Sequence, residues 1–231
     1  MSAELSTRLW SIAEGVSLAL VPAVLVVCAV FDVEQASVLT LFVALAAIVI
    51  FFAGYERSRP GLRQIMPTVV LAALAAAGRV LFAAIPDFKP VSAICILAGI
   101  VLGRRSGFMV GALAALTSNF FFGQGAWTPW QMYAWGLVGY LAGVLAEHRL
   151  LKRTWEVLVY GFLSAMLYGL LLNGWYVIGF VHPITWQSVL AAYVAGFPLD
   201  CVHGVATVIF LALLYVPWKN KLERIVVKYG L

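Results

Sequence analysis

Apolar runs of about twenty residues, separated by short polar breaks, recur along the whole sequence and constrain the fold more than any other feature. A hydrocarbon layer of about 30 Å calls for about 20 apolar residues of helix. Inside lipid every backbone N–H and C=O must be satisfied internally, so only helices or closed barrels cross it. These runs lack the in–out alternation of barrel strands. Only 11% of the residues are charged, against about 25% in soluble domains. The pattern implies an all-α integral membrane protein.

The runs place helices at about 10–31, 36–54, 65–85, 91–102, 107–121, 131–146, 156–180 and 186–216. The run 91–102 is short for a span and is expected to recruit flanking residues or tilt. The run 186–216 holds Pro198, which predicts a kink or a re-entrant start. Residues 1–8 are not strongly basic, and the first apolar run is followed at once by another, so it reads as a retained helix. The segment YERSRPGLRQ (55–64) is charged and carries Pro60 and Gly61. It divides the chain into a two-helix extension with linker (1–60), a six-helix bundle (61–217) and a basic tail (218–231), read as a plain basic end rather than an amphipathic helix.

The net charge of +5 raises the possibility of nucleic acid, but the basic residues sit in short loops between apolar runs. A topological reading fits them better. With the N-terminus in the cytoplasm, Arg8, Arg57, Arg59, Arg63, Arg104, Arg105, Arg149, Lys152, Arg153, Lys219, Lys221, Arg224 and Lys228 fall inside, 13 of the 15 Lys and Arg. Lys89 falls outside, Arg79 lies within a helix, and the outer loops carry Asp32, Glu34 and Asp87. Cys28, Cys95 and Cys201 lie inside apolar runs without metal-ligand spacing and read as small buried hydrophobes.

Polar residues inside the spans are the candidates for function, because a charge at that depth costs several kcal/mol unless paired or wetted. Arg79 counts to about 9 Å below the outer end of its helix, at a rise of about 1.5 Å per residue, and Asn173 lies at a similar depth. Asn119 is near an outer end. Asp200 lies nearer the midplane, and His203 shares its helix face at i, i+3. Each also has a structural reading, as a snorkelling cation or as a hydrogen bond between helices. Glu14 and Glu156, near inner helix ends, read as snorkelling or capping residues. The stretch NFFFGQGAWTPWQM (119–132) belongs to the same outer half. Its glycines and Thr128-Pro129 end one helix before the next. Trp127 and Trp130 suit an interfacial belt, while amides such as Gln124 and Gln131 beside tryptophans also suit a pocket mouth. The sequence holds no P-loop, HExxH, paired-cysteine metal site or nucleophile elbow. Uphill transport would therefore need a partner or an ion gradient.

The run GRVLFAAIPDFKPVSAICILAGIVLGRRSGFMVGALAALTSNFFFGQGAWTPWQM (78–132) resembles the substrate-binding S-component of energy-coupling factor (ECF) vitamin transporters, and AGFPLDCVHGVATVIFL (195–211) resembles the family's last helix. The likeness covers about 61–217. It implies a six-helix subunit in a bacterial or archaeal cytoplasmic membrane, both termini cytoplasmic, that captures a vitamin-like small molecule from outside. It also implies a transmembrane T-component and two cytoplasmic ATPases as partners, with no cofactor. The implied pocket lies under the loops IPDFKP, FGQGAWTPW and FVHPI, with Arg79, Asn119, Gln124, Trp127, Gln131, Asn173, Asp200 and His203 as its candidates. Within LAALAAAG (71–78), the pairs Ala72/Ala76 and Ala73/Ala77 match the family's docking face for the T-component. The extra hairpin departs from a minimal S-component. From the family's range a cobalamin-like corrinoid is the first substrate candidate, with riboflavin-like and queuosine-precursor molecules behind it. Rival readings are a proton-coupled carrier relaying through Asp200 and His203, and an intramembrane enzyme using these two with Arg79.

Overall fold

The structure, a computed structural model, describes residues 3–31, 35–58 and 60–229. Asp32, Glu34 and Arg59, which entered the topological reading, lie outside the described residues. The helices are α1 Ala3–Val30, α2 Ala36–Arg57, α3 Leu62–Leu81, α4 Val91–Leu102, α5 Arg104–Phe122, α6 Trp127–Glu147, α7 Thr154–Phe180 and α8 Trp186–Tyr229. Each coincides with one predicted run, and no strand occurs among the described residues.

Ile12–Val30, Ala36–Arg57, Thr154–Phe180 and Trp186–Lys228 are long and apolar enough to cross a membrane unaided. Of the helices between them, α4, α5 and α6 are largely covered by protein, while α3 keeps one face exposed. In α4 every residue from Val91 to Gly99 is buried, with α3, α5, α6 and α8 around it. It does not borrow flanking residues, as its length had suggested. Pro90 precedes it, and Gly103, at φ 90°, ends it in a conformation that favours glycine. Helix α4 is a short core helix enclosed by neighbours. Helices α4, α5 and α6 close on one another through Gly99, Gly107 and Gly139. A methyl on Gly107 would lie 2.5 Å from the Gly139 carbonyl oxygen, so these backbones approach as only small residues allow.

In the C-terminal run the re-entrant alternative at Pro198 and the plain basic end both fail. Helix α8 is one helix of 44 residues that passes through Pro198 and Pro217, so neither proline starts a re-entrant segment. It also continues past 217, making 218–229 helical where a plain basic end was expected. A proline's lost helical N–H bond can be compensated by neighbouring helices in a packed bundle.

The hairpin α1–α2 packs on α5, α6 and α7. Phe51 stacks on Phe108 with ring centroids 4.0 Å apart, and Tyr140 meets Phe51 edge-on at 5.0 Å. Glu14 is neither a snorkelling nor a capping residue. It is 0% exposed and accepts hydrogen bonds from Arg105 Nε at 2.7 Å and the Tyr140 hydroxyl at 2.9 Å. Gly54 makes room for that carboxylate, which any side chain on α2 at this point would strike. Glu156 does cap a helix, accepting the backbone N–H groups of Lys152 and Arg153 at the start of α7.

Helix alternation places the starts of α3, α5 and α7 at one end of the bundle, with Arg63, Arg104, Arg105, Lys152 and Arg153. Loops 82–90, 123–126 and 181–185 lie at the other. The first is the basic end, the second the loop end.

Candidate functional site

At the loop end, three helices aim polar side chains at one point. Helix α3 stops at Leu81, so Arg79 lies in its last turn rather than about 9 Å deep. Its guanidinium donates to Ser118 Oγ at 2.7 Å, Asn119 Oδ1 at 2.6 Å and Gln131 Oε1 at 3.4 Å. The Phe122 and Trp135 rings lie 4.7 and 4.9 Å from it. Among the described residues no carboxylate oxygen lies within 4.0 Å of this cation. The bonds around it come from neutral oxygens and ring faces.

The amides extend this network. Buried Asn119 donates through Nδ2 to Gln131 Oε1 at 2.8 Å and to Thr128 Oγ1 at 3.1 Å. Thr128 Oγ1 donates to Gln124 Oε1 at 2.9 Å, and Gln124 Nε2 donates to the Leu116 carbonyl at 3.0 Å. The glycine-bracketed turn exists to let Gln124 and Thr128 fold back onto the end of α5. Gly123 sits at φ 92°, where other residues are strained.

Aromatic contacts lead from Arg79 through the rest of the bundle. Trp135 of α6 stacks on Tyr168 of α7, with centroids 4.8 Å apart, and Tyr168 meets the His203 ring of α8 edge-on at 5.0 Å. His203 is buried and its Nε2 lies 2.7 Å from Ser92 Oγ of α4. With Phe122 on α5 and Arg79 on α3, this ladder touches α3 to α8 in turn. The Trp135 indole N–H is buried without a partner in the described structure.

Asn173 and Asp200 form a separate pair. Asn173 Nδ2 donates to Asp200 Oδ2 at 3.0 Å. An added Cβ on Gly196 would lie 2.7 Å from Asn173 Oδ1, so that glycine leaves the space the amide fills. Asp200 and His203 share a face by spacing, yet they bond to different helices and not to each other. Trp127 stands apart from both groups: it is 39% exposed and covers Gly125. The structure thus joins Arg79, Asn119 and Gln131 directly, brings Gln124 in through Thr128 and His203 through Trp135 and Tyr168, keeps Asn173 with Asp200, and turns Trp127 outward.

Above the network, loop 82–90 carries Asp87 at φ 51°. Burial pushes its carboxyl above the usual carboxylate range, while Lys89 and Arg79 pull it the other way. Lys89 Nζ donates to the carbonyls of Phe82 and of Ile85, tying the loop to the end of α3. Ser118, Thr128, Trp135, Tyr168 and Ser92 were not among the sequence candidates. Two signals pointed to some of them: Ser118 adjoins Asn119, and Gln131 and Trp135 lie i, i+4 on one helix face.

A comparison with protein families matches residues 61–220 to the ECF-type riboflavin transporter, S component. This chain belongs to that family. Searches among curated proteins and among solved structures return no match. The S-component is a vitamin-capture subunit of a multi-pass membrane transporter, which uses partner subunits for energy, and its family is a non-enzymatic one. The match begins after the linker, so α1 and α2 lie outside it, while every candidate site residue lies within it. A corrinoid substrate finds no support here, since the family's name states riboflavin.

Proposed function

We propose that this S-component binds riboflavin, or a vitamin with the same kind of ring, at the Arg79 network. The observation that carries the reading is a cation compensated by neutral oxygens and held between two aromatic rings. A half-buried charge left in that state favours a ligand with electron-rich carbonyls. The isoalloxazine ring offers an imide edge with two carbonyls around an N–H. Amides carry both donors and acceptors, so Asn119 and Gln131 can read such an edge, and Arg79 can donate to its carbonyls. In this reading Gln124 and Thr128 hold the turn that shapes the mouth, and Trp127 works from its rim. Asn173, Asp200 and His203 support the far wall.

The basic end then faces the cytoplasm and the loop end faces outside, in keeping with the positions of the basic residues. A T-component with two ATPases would supply the energy. Of the four docking alanines, Ala72 and Ala76 are buried within the chain, whereas Ala73 and Ala77 are exposed, so docking on α3 falls to the second pair. Asp200 and His203, the pair a proton relay would use, bond to Asn173 and Ser92 respectively.

The test is a titration of riboflavin with the detergent-purified full chain, read by quenching of flavin fluorescence, beside cobalamin and other vitamins. Arg79→Gln should weaken binding by about 1.5–3 kcal/mol, the typical worth of a hydrogen bond to a charged group. If the monodisperse chain ignores riboflavin and binds another vitamin, the substrate is wrong. If Arg79→Gln binds as the parent does, the site is wrong.

A further inference from the structure

Three buried side-chain polar atoms among the described residues have no hydrogen-bond partner: the indole N–H groups of Trp130 and Trp135 and the Tyr215 hydroxyl. A buried donor is normally paired, because leaving its bond unmade costs the full desolvation of the group. The three stand in different places. Tyr215 lies on α8 towards the basic end, beside Lys219. Trp130 and Trp135 are five residues apart, which turns them about 140° from each other around α6. Gln131, a member of the Arg79 network, is one turn from Trp135 on the same face. Trp135 is thus the unpaired donor that stands at the candidate site.

Its neighbours explain why the N–H is left over. The Arg79 guanidinium lies 4.9 Å from the indole, over the ring, and Tyr168 stacks on it with centroids 4.8 Å apart and planes at 29°. Both meet a face of the ring. An indole N–H lies in the ring plane and points past them, and a guanidinium offers no acceptor in any case. The ring cannot easily turn to find one. It is 4% exposed, and α5 presses so close at Gly111 that a methyl there would strike the Trp135 carbonyl.

We propose, resting on the riboflavin reading, that the Trp135 indole N–H is a specificity-determining donor for the ring-nitrogen acceptor beside the carbonyl that Arg79 takes. In an isoalloxazine each imide carbonyl has such a nitrogen next to it, unprotonated, with its lone pair in the ring plane. The indole lies against the guanidinium, so a carbonyl that reaches Arg79 brings that nitrogen to the indole edge. The donor is already stripped of water in the empty chain, so the bond forms without further desolvation of the protein. A ring with C–H in place of that nitrogen leaves the donor unpaired again. It should bind about ten-fold more weakly, the upper end of what one neutral hydrogen bond is worth.

The test pairs deletion of the donor with deletion of the acceptor. In Trp135→benzothienylalanine, sulfur replaces the N–H within a bicyclic ring of the same shape. In 1-deazariboflavin and 5-deazariboflavin, C–H replaces one ring nitrogen each. Binding to the detergent-purified full chain is read by equilibrium dialysis and flavin absorbance, which does not depend on tryptophan emission. The parent should bind one analogue about ten-fold more weakly than riboflavin and the other equally well. The variant should lose about ten-fold for riboflavin and nothing further for the disfavoured analogue, the coupling expected of a direct contact. Trp130→benzothienylalanine should bind all three as the parent does. Without ligand, the Trp135 variant should unfold no lower than the parent, since no bond is removed. A lower midpoint would expose a structural partner and overturn the donor's role. So would unchanged riboflavin binding in the variant, or equal losses for all three flavins. Equal affinity of the unmodified chain for the three flavins overturns it without any variant. A parent that binds no flavin sinks the riboflavin reading and this inference with it, whereas riboflavin binding without the Trp135 coupling sinks the inference alone.

Discussion

Glu14→Ala tests the assembly of this protein most directly, because one carboxylate on α1 joins the hairpin to the family bundle. The side chain is 0% exposed and holds Arg105 at 2.7 Å and the Tyr140 hydroxyl at 2.9 Å. Removing one partner of a fully buried pair costs about 3–5 kcal/mol, since the other charge is left uncompensated. Arg105 is 23% exposed and can turn part of its charge toward solvent, which lowers the figure. The Tyr140 hydroxyl loses an acceptor besides, worth about 1 kcal/mol. Together these give a loss of about 2–4 kcal/mol. Glu14→Gln keeps the shape and an acceptor for Tyr140, so it isolates the charge and should cost less. The assay is reversible unfolding in mixed micelles followed by tryptophan fluorescence, with protease nicking of the 55–64 linker reporting hairpin release. A double-mutant cycle with Arg105→Met should return a coupling above about 1 kcal/mol, well beyond the 0.6 kcal/mol average for hydrogen bonds between membrane helices. If Glu14→Ala and Glu14→Gln both unfold within 0.5 kcal/mol of the parent, the buried pair does not hold the hairpin, and the reasoning fails.

Further outcomes follow from the same geometry. Gly139→Ala puts a methyl against the Gly107 backbone and should separate α5 from α6, costing about 1–3 kcal/mol as overpacking does, visible as a lower unfolding midpoint. Asp200→Ala leaves the Asn173 amide without its partner and should cost about 1 kcal/mol of stability, read in the same assay. The Asp87 carboxyl is raised in the folded chain, so the stability it contributes is fully present below its unfolded pKa and is lost as pH rises through the folded one. Asp87→Asn keeps a residue type tolerant of positive φ and should flatten that part of the stability–pH curve while raising the midpoint at neutral pH.

Much of the architecture was legible because a bilayer reduces folding to one coarse variable, the length of an apolar run. Eight runs became eight helices; depth nominated Arg79 and Asn119, the amides beside tryptophans nominated Gln131, and the three do meet. Run length says nothing of what covers a helix, and the expectations failed at that point. Helix α4 looked too short because the count assumed lipid around it, whereas the close approach of α4, α5 and α6 at glycine positions supplies protein instead. Prolines 198 and 217 signal a break only where the freed backbone groups stay unsatisfied, and packing decides that.

The same reason explains which site residues escaped notice. Ser118, Thr128, Trp135, Tyr168 and Ser92 are ordinary residues for a membrane helix, and each acquires a role only through a neighbour on another helix. Glu14 is the sharpest case. A carboxylate near an inner helix end has water within reach if its helix faces outward, and snorkelling follows. With Arg105 supplied from ninety-one positions along the chain, burial becomes affordable and the same residue becomes a fastener. Nothing within α1 marks the difference. The distinction lies in the partner, and a partner at that separation is specified by how helices pack rather than by any local pattern.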